Sequence, residues 1–170
     1  MAKRIVLTLV LILAALLLQS TVLSRLIVHI YAVPDLALSI MVYSAYLNGT
    51  MTGQLVGFFS GFLLDLLSAS PLGLNAFVRT LAGALVGFIK DVFYLDYFFL
   101  PMALCAGATA LKAILFFLLH LLFPEAVPSY ALALPKFWVE LGLNTLSAPL
   151  IFGFLRLFKS LLVMPKESAQ

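Results

Sequence analysis

The chain has 170 residues, of which 64% are apolar and 10% charged, with a formal net charge of +3 and a mean hydropathy of +1.18. A soluble domain carries about 25% charged residues, and a small one leaves much of its area exposed, so this composition excludes a water-soluble globule and describes a chain solvated by lipid. The basic residues form no run or aromatic-interleaved patch, which argues against nucleic acid, and the lone Cys105 excludes an internal disulfide or CxxC site and reads as a small buried hydrophobe.

The first apolar run follows Lys3-Arg4 and resembles the start of a secretory signal. It continues from Ile5 through Leu18 and on past Thr21-Val22-Leu23 without a small-x-small cleavage site, so it is expected to be retained as a membrane anchor. Seven of the eight prolines, Pro34, Pro71, Pro101, Pro124, Pro128, Pro135 and Pro165, fall at or beside gaps in the apolar pattern, where a residue lacking an amide donor does least harm. The spans between them cover approximately 5–23, 35–48, 51–67, 72–90, 98–123 and 137–163. Most approach the roughly 20 residues a helix needs to cross about 30 Å of hydrocarbon, and none shows the two-residue alternation of a barrel strand. The expected fold is therefore all-α, one transmembrane domain of six helices over residues 1–170. The second span is short unless its helix begins near His29.

With a cytoplasmic N-terminus, six of the ten basic residues lie at cytoplasmic ends (Lys3, Arg4, Lys90, Arg156, Lys159, Lys166), two lie outside (Arg25, Lys136) and two within spans (Arg79, Lys112). This bias puts both termini inside. Trp138, Tyr94, Tyr97 and Tyr130 stand near span ends, where amphipathic rings anchor at the headgroups.

Two stripes stand out. Gly53, Gly57, Gly61 and Asp65 recur every four residues on the third span, and Asn75, Arg79, Gly83 and Gly87 do so on the fourth. On antiparallel helices the stripes match, and glycine at this interval lets backbones approach closely, either within the chain or against a partner helix. Counted from a turn near Ser70, Arg79 lies roughly 4 to 6 Å deeper than Asp65 at 1.5 Å per residue. Asp65 is thus expected to pair with Arg79, or to accept hydrogen bonds from the start of the fourth helix, with Ser70 as N-cap and Pro71 as its first residue.

Further polar residues gather in the same half of the bilayer. Asp35, Ser39, Tyr43 and Tyr46 follow helical spacing on the second span, Glu140, Asn144 and Ser147 on the sixth, and Lys112 and His120 stand on the fifth. Asp35, Asp65, Asn75, Arg79, Lys112, His120, Glu140 and Asn144 could line one outward cavity, or serve as internal ties, with Lys112 joined to Glu140. His120 by itself reads as interfacial. There is no HExxH, no second nearby histidine, no serine with an evident base and no matched aspartates, so neither catalytic, metal nor cofactor residues are assigned. Pro149 removes a backbone hydrogen bond within the sixth span and should bend it.

The stretch VGFFSGFLLDLLSASPLGLNAF, from Val56 to Phe77, resembles the signature of the MreD family: a Gly-x3-Gly-x3-Asp helix followed by Ser-Pro-Leu-Gly-Leu and a polar residue. Pro34-Asp35-Leu36 and Gln19-Ser20-Thr21 are similar to the family too. The resemblance implies a bacterial inner-membrane component of the rod-shape machinery, or elongasome, with no catalytic activity and no cofactor. Its implied partners are MreC first, then the MreB filament, the polymerase RodA and the elongation penicillin-binding protein, with membrane lipid around it and a homodimer as a further arrangement. The family's six-span architecture is also similar to the substrate-binding subunits of energy-coupling-factor transporters. Two functions follow: a scaffold that binds MreC and helps position peptidoglycan synthesis, or a carrier subunit whose polar outer half binds a small solute or lipid.

Overall fold

A computed structural model describes residues 2–23, 32–68, 70–90, 98–128, 135–158 and 162, with side chains described from residue 5 onward and not at 22–23. His29, Arg25, Tyr94, Tyr97, Tyr130, Lys159 and Lys166, and the side chains of Lys3 and Arg4, lie outside the described residues. Those that are described form six α-helices and no strand: α1 (Ala2–Leu18), α2 (Leu36–Asn48), α3 (Thr50–Leu67), α4 (Leu74–Phe88), α5 (Phe99–Leu122) and α6 (Pro135–Arg156). A π-helical turn, Gln19–Leu23, extends α1, and the Thr21 hydroxyl there donates to the Leu17 carbonyl at 2.5 Å. The helices lie close to the expected spans, although α6 starts two residues earlier and ends at Arg156 before a turn at 157–158. It runs through Pro149 without interruption.

By length and composition, α3, α5 and α6 are each able to cross a membrane, and α1, α2 and α4 are shorter apolar helices. Side chains such as Phe58, Leu85, Ile114, Leu121, Leu146 and Leu150 are exposed around the bundle. So wide an apolar exterior suits lipid rather than water.

The short α2 is central. It touches α1, α3, α4, α5 and α6, and nine consecutive residues, Ala37 to Ala45, are buried. A helix enclosed on all sides has no polar face to show, which is why its sequence lacks amphipathic patterning. Its 13 residues cover only about 20 Å at 1.5 Å per residue, and its N-terminal end is buried within the bundle. Asp35 caps that buried end, its carboxylate accepting from the Leu38 amide at 3.0 Å.

Between α2 and α3 the chain reverses at Gly49, whose φ of +90° favours glycine because a Cβ would be strained there. The α3–α4 pair that follows has the most extensive contact in the molecule. A Cβ added to Gly53 would overlap the Gly83 carbonyl, one on Gly57 the Arg79 carbonyl, one on Gly61 the Asn75 carbonyl, and one on Gly87 the backbone of Gly49 and Thr50. Each step of four up α3 is thus a step of four down α4, in a register that turns about residue 68. Backbone meets backbone along the whole seam, the close approach that glycine permits and that stands in for the hydrophobic drive absent in lipid.

Candidate functional site

The polar residues resolve into two centres rather than one cavity. The first is a junction at Asp35, where α2, α4, α5 and α6 meet. The Arg79 Nη2 donates to both oxygens of Asp35, at 2.7 and 2.8 Å. Lys112 Nζ lies 3.3 Å from the same carboxylate and 2.6 Å from Glu140 Oε1. Asn144 accepts the Asp35 amide at 2.7 Å and donates to Thr109 Oγ1 at 3.0 Å. That hydroxyl in turn donates to the Cys105 carbonyl at 2.8 Å. Two carboxylates and two cations therefore balance.

Burial sharpens the electrostatics. Arg79 is 1% exposed and Asp35 4%, so their attraction acts with little screening, while each would be costly alone. The contact is end-on through one nitrogen; Nε and Nη1 of Arg79 have no hydrogen-bond partner among the described residues.

The second centre is Asp65, 2% exposed, near the C-terminal end of α3. Its carboxylate accepts the amides of Gly73 at 3.0 Å, Asn75 at 3.1 Å and Ala76 at 3.2 Å. It also accepts the Asn75 side-chain amide at 2.8 Å and the Ser70 hydroxyl at 3.4 Å. An acid from one helix thereby caps the next and neutralises the positive end of its dipole.

Two expectations are corrected here. Arg79 does not pair with Asp65: the glycine register puts the Arg79 backbone opposite Gly57, eight residues or about 12 Å below Asp65, beyond the reach inferred from a turn centred on Ser70. Nor is Ser70 the N-cap. Gly73, with φ +94°, holds that place, and α4 begins at Leu74 rather than near Pro71. The second alternative for Asp65, hydrogen bonding to the start of the fourth helix, is what the geometry shows. Lys112 and Glu140 do meet.

His120 joins neither centre; its Nδ1 lies 2.7 Å from the Val127 carbonyl. Trp138 is exposed near the start of α6, and Cys105 is buried with a free thiol. The five stripe glycines lie in the α3–α4 seam, whereas Gly107, Gly142 and Gly153 have open space where a Cβ would stand. Thr109 went unnoticed in the sequence because a threonine in an apolar helix ordinarily bonds its own backbone. Asp35 as the hub had a readable signal, an acid directly before an apolar run, which marks an N-cap.

No group of three or more His, Cys, Asp or Glu side chains arranged to hold a metal occurs among the described residues. The site consists of charge pairs and amide acceptors, an arrangement suited to holding helices in order.

A search of curated proteins returned no match, and neither did a search of solved structures. The model of one protein family, described as rod shape-determining protein MreD, matches residues 2–158. With nearly the whole chain matched, and with helices able to span a membrane around a charge-tied core, the chain belongs to the MreD family of rod shape-determining proteins.

Proposed function

We propose that this chain is a non-catalytic scaffold of the bacterial elongasome, one six-span unit of the inner membrane with both termini cytoplasmic. In this reading it binds MreC and helps position peptidoglycan synthesis, with MreB, RodA and the elongation penicillin-binding protein as further members of the assembly. The observation that carries the reading is the internal use of charge. Asp35, Arg79, Lys112 and Glu140 bond one another across four helices, and Asp65 is devoted to the start of α4. Ionised groups in a membrane ordinarily raise the expectation of transport or chemistry; groups matched this way instead hold a fixed shape that partners can recognise.

A face for the bitopic partner's transmembrane helix is the apolar groove between α4 and α5, of about 330 Å³, lined by residues including Leu85, Phe88, Ile89, Ala103, Gly107 and Leu111. Gly107 has no neighbour within 4 Å of where a Cβ would stand, so packing within the chain does not explain its small size, whereas approach of another helix does.

The carrier alternative needs polar groups free to meet a solute, and the likeness to energy-coupling-factor subunits has no support from a solved structure. Purification with and without MreC separates the readings. A stoichiometric complex with unchanged small-molecule content is expected; saturable solute binding that disappears in Lys112→Ala or Glu140→Ala would establish the carrier instead.

A further inference from the structure

The end of the bundle where α3 and α5 finish carries an open pocket of about 580 Å³ that adjoins the Asp65 centre through Ser70. Its polar lining is Ser68 and Ser70 from the α3–α4 connection, His120 from α5, and Glu125 from the turn after α5, among Pro71, Pro124, Ala126, Val127 and Pro128. No arginine or lysine lines it.

Two of the hydrogen-bond directions follow from their acceptors. A carbonyl only accepts, so His120 Nδ1, 2.7 Å from the Val127 oxygen, carries a proton, and in the tautomer so fixed Nε2 is the nitrogen with a lone pair. The Asp65 carboxylate likewise only accepts, so the Ser70 hydroxyl donates to it at 3.4 Å while accepting from Asn75 Nδ2 at 3.0 Å. The Ser68 and Ser70 hydroxyls also bond each other, and either can be the donor. In either direction the Ser68 oxygen keeps a lone pair that can accept. Glu125 is exposed and forms no salt bridge among the described residues.

Three groups of the pocket thus offer acceptors, one of them anionic, and the complement is a cation bearing several N–H donors. Immediately beside the pocket in the chain, Leu66, Leu67, Leu72, Leu121 and Leu122 are exposed, an apolar skirt that acyl chains would cover. We propose that this pocket binds the primary ammonium headgroup of an aminophospholipid, such as phosphatidylethanolamine, with Glu125, His120 and Ser68 receiving its N–H groups. A trimethylammonium headgroup has no N–H to give, and no phenylalanine, tyrosine or tryptophan lines the pocket to cage it.

The test is native mass spectrometry of the full chain released from membranes containing equal phosphatidylethanolamine, phosphatidylcholine and phosphatidylglycerol. Retention of the ethanolamine lipid is expected to exceed that of either other lipid by about fivefold, the size of one exposed charge-assisted contact. The preference should fall toward parity in Glu125→Gln. Methylating the headgroup nitrogen stepwise should erode it in the unaltered chain, a readout independent of any variant's folding. Equal retention of all three lipids, a preference that survives Glu125→Gln, or capture of a lysine-rich peptide without headgroup preference would overturn the proposal.

Discussion

The α3–α4 seam and the Asp35 junction hold the same bundle by opposite means. Along the seam, backbone lies against backbone, and glycines at a fixed interval make the approach possible. At the junction, side chains from three helices reach across the interior to Asp35, Arg79 and Lys112 to its carboxylate and Asn144 to its backbone amide. The first arrangement depends on having nothing at a position, the second on having a particular charge. Their failure should differ accordingly: the seam should fail through overlap, with no rescue by a polar partner, and the junction through stranded charge, with rescue when the opposite charge is also removed.

The largest effect should come from stranding a charge. Arg79→Ala leaves Asp35 facing Lys112 alone and should cost about 3 to 5 kcal/mol of unfolding free energy in mild detergent. Asp35→Ala combined with it should cost less than the two changes added, with a coupling of about 0.5 to 3 kcal/mol. Asp65→Ala with Arg79→Ala should instead be additive, since no bond joins them; a strong coupling there would break the register described above.

Next comes the seam. Gly57→Ala forces a methyl into the Arg79 carbonyl and should cost about 1 to 3 kcal/mol by overpacking, measured in the same unfolding series. Gly153→Ala meets open space and should change stability little, a contrast that isolates packing from helix propensity.

Asp65→Ala removes an acceptor from three amides at the start of α4, one of them that of the N-cap Gly73, and should cost about 0.5 to 2 kcal/mol, as loss of a helix cap does. Proteolysis at the α3–α4 connection should then speed up. The smallest effect on stability belongs to Gly107→Leu, within about 0.5 kcal/mol, yet co-purification of MreC should fall if the α4–α5 groove is its face. Unchanged co-purification would remove that groove from the proposed function.

Much of the seam was legible beforehand because its information is local. Spacings of four put Gly53, Gly57 and Gly61 on one face of α3, and an antiparallel neighbour with the same interval fits only one way up. What escaped was the offset: counting from Ser70 instead of 68 moved Arg79 by enough residues to give it the wrong acid. The junction was half legible. Each of its members could be singled out as a charge or amide in an apolar span, and Lys112 with Glu140 could be matched, but Asp35 meets Arg79 across 44 residues of chain and Asn144 across 109.

The amino-acid sequence by itself determined that this is an all-helical chain for a lipid environment, where most of its helices begin and end to within a few residues, and which side chains would be costly without partners. These follow from composition and short-range periodicity, which act through the helix's own geometry. Only the tertiary structure decided which charge answers which, because a buried ion accepts whichever opposite charge the packing delivers. Here the glycine seam sets the depth of Arg79, and the short central α2 sets the depth of Asp35, at a level where the two meet.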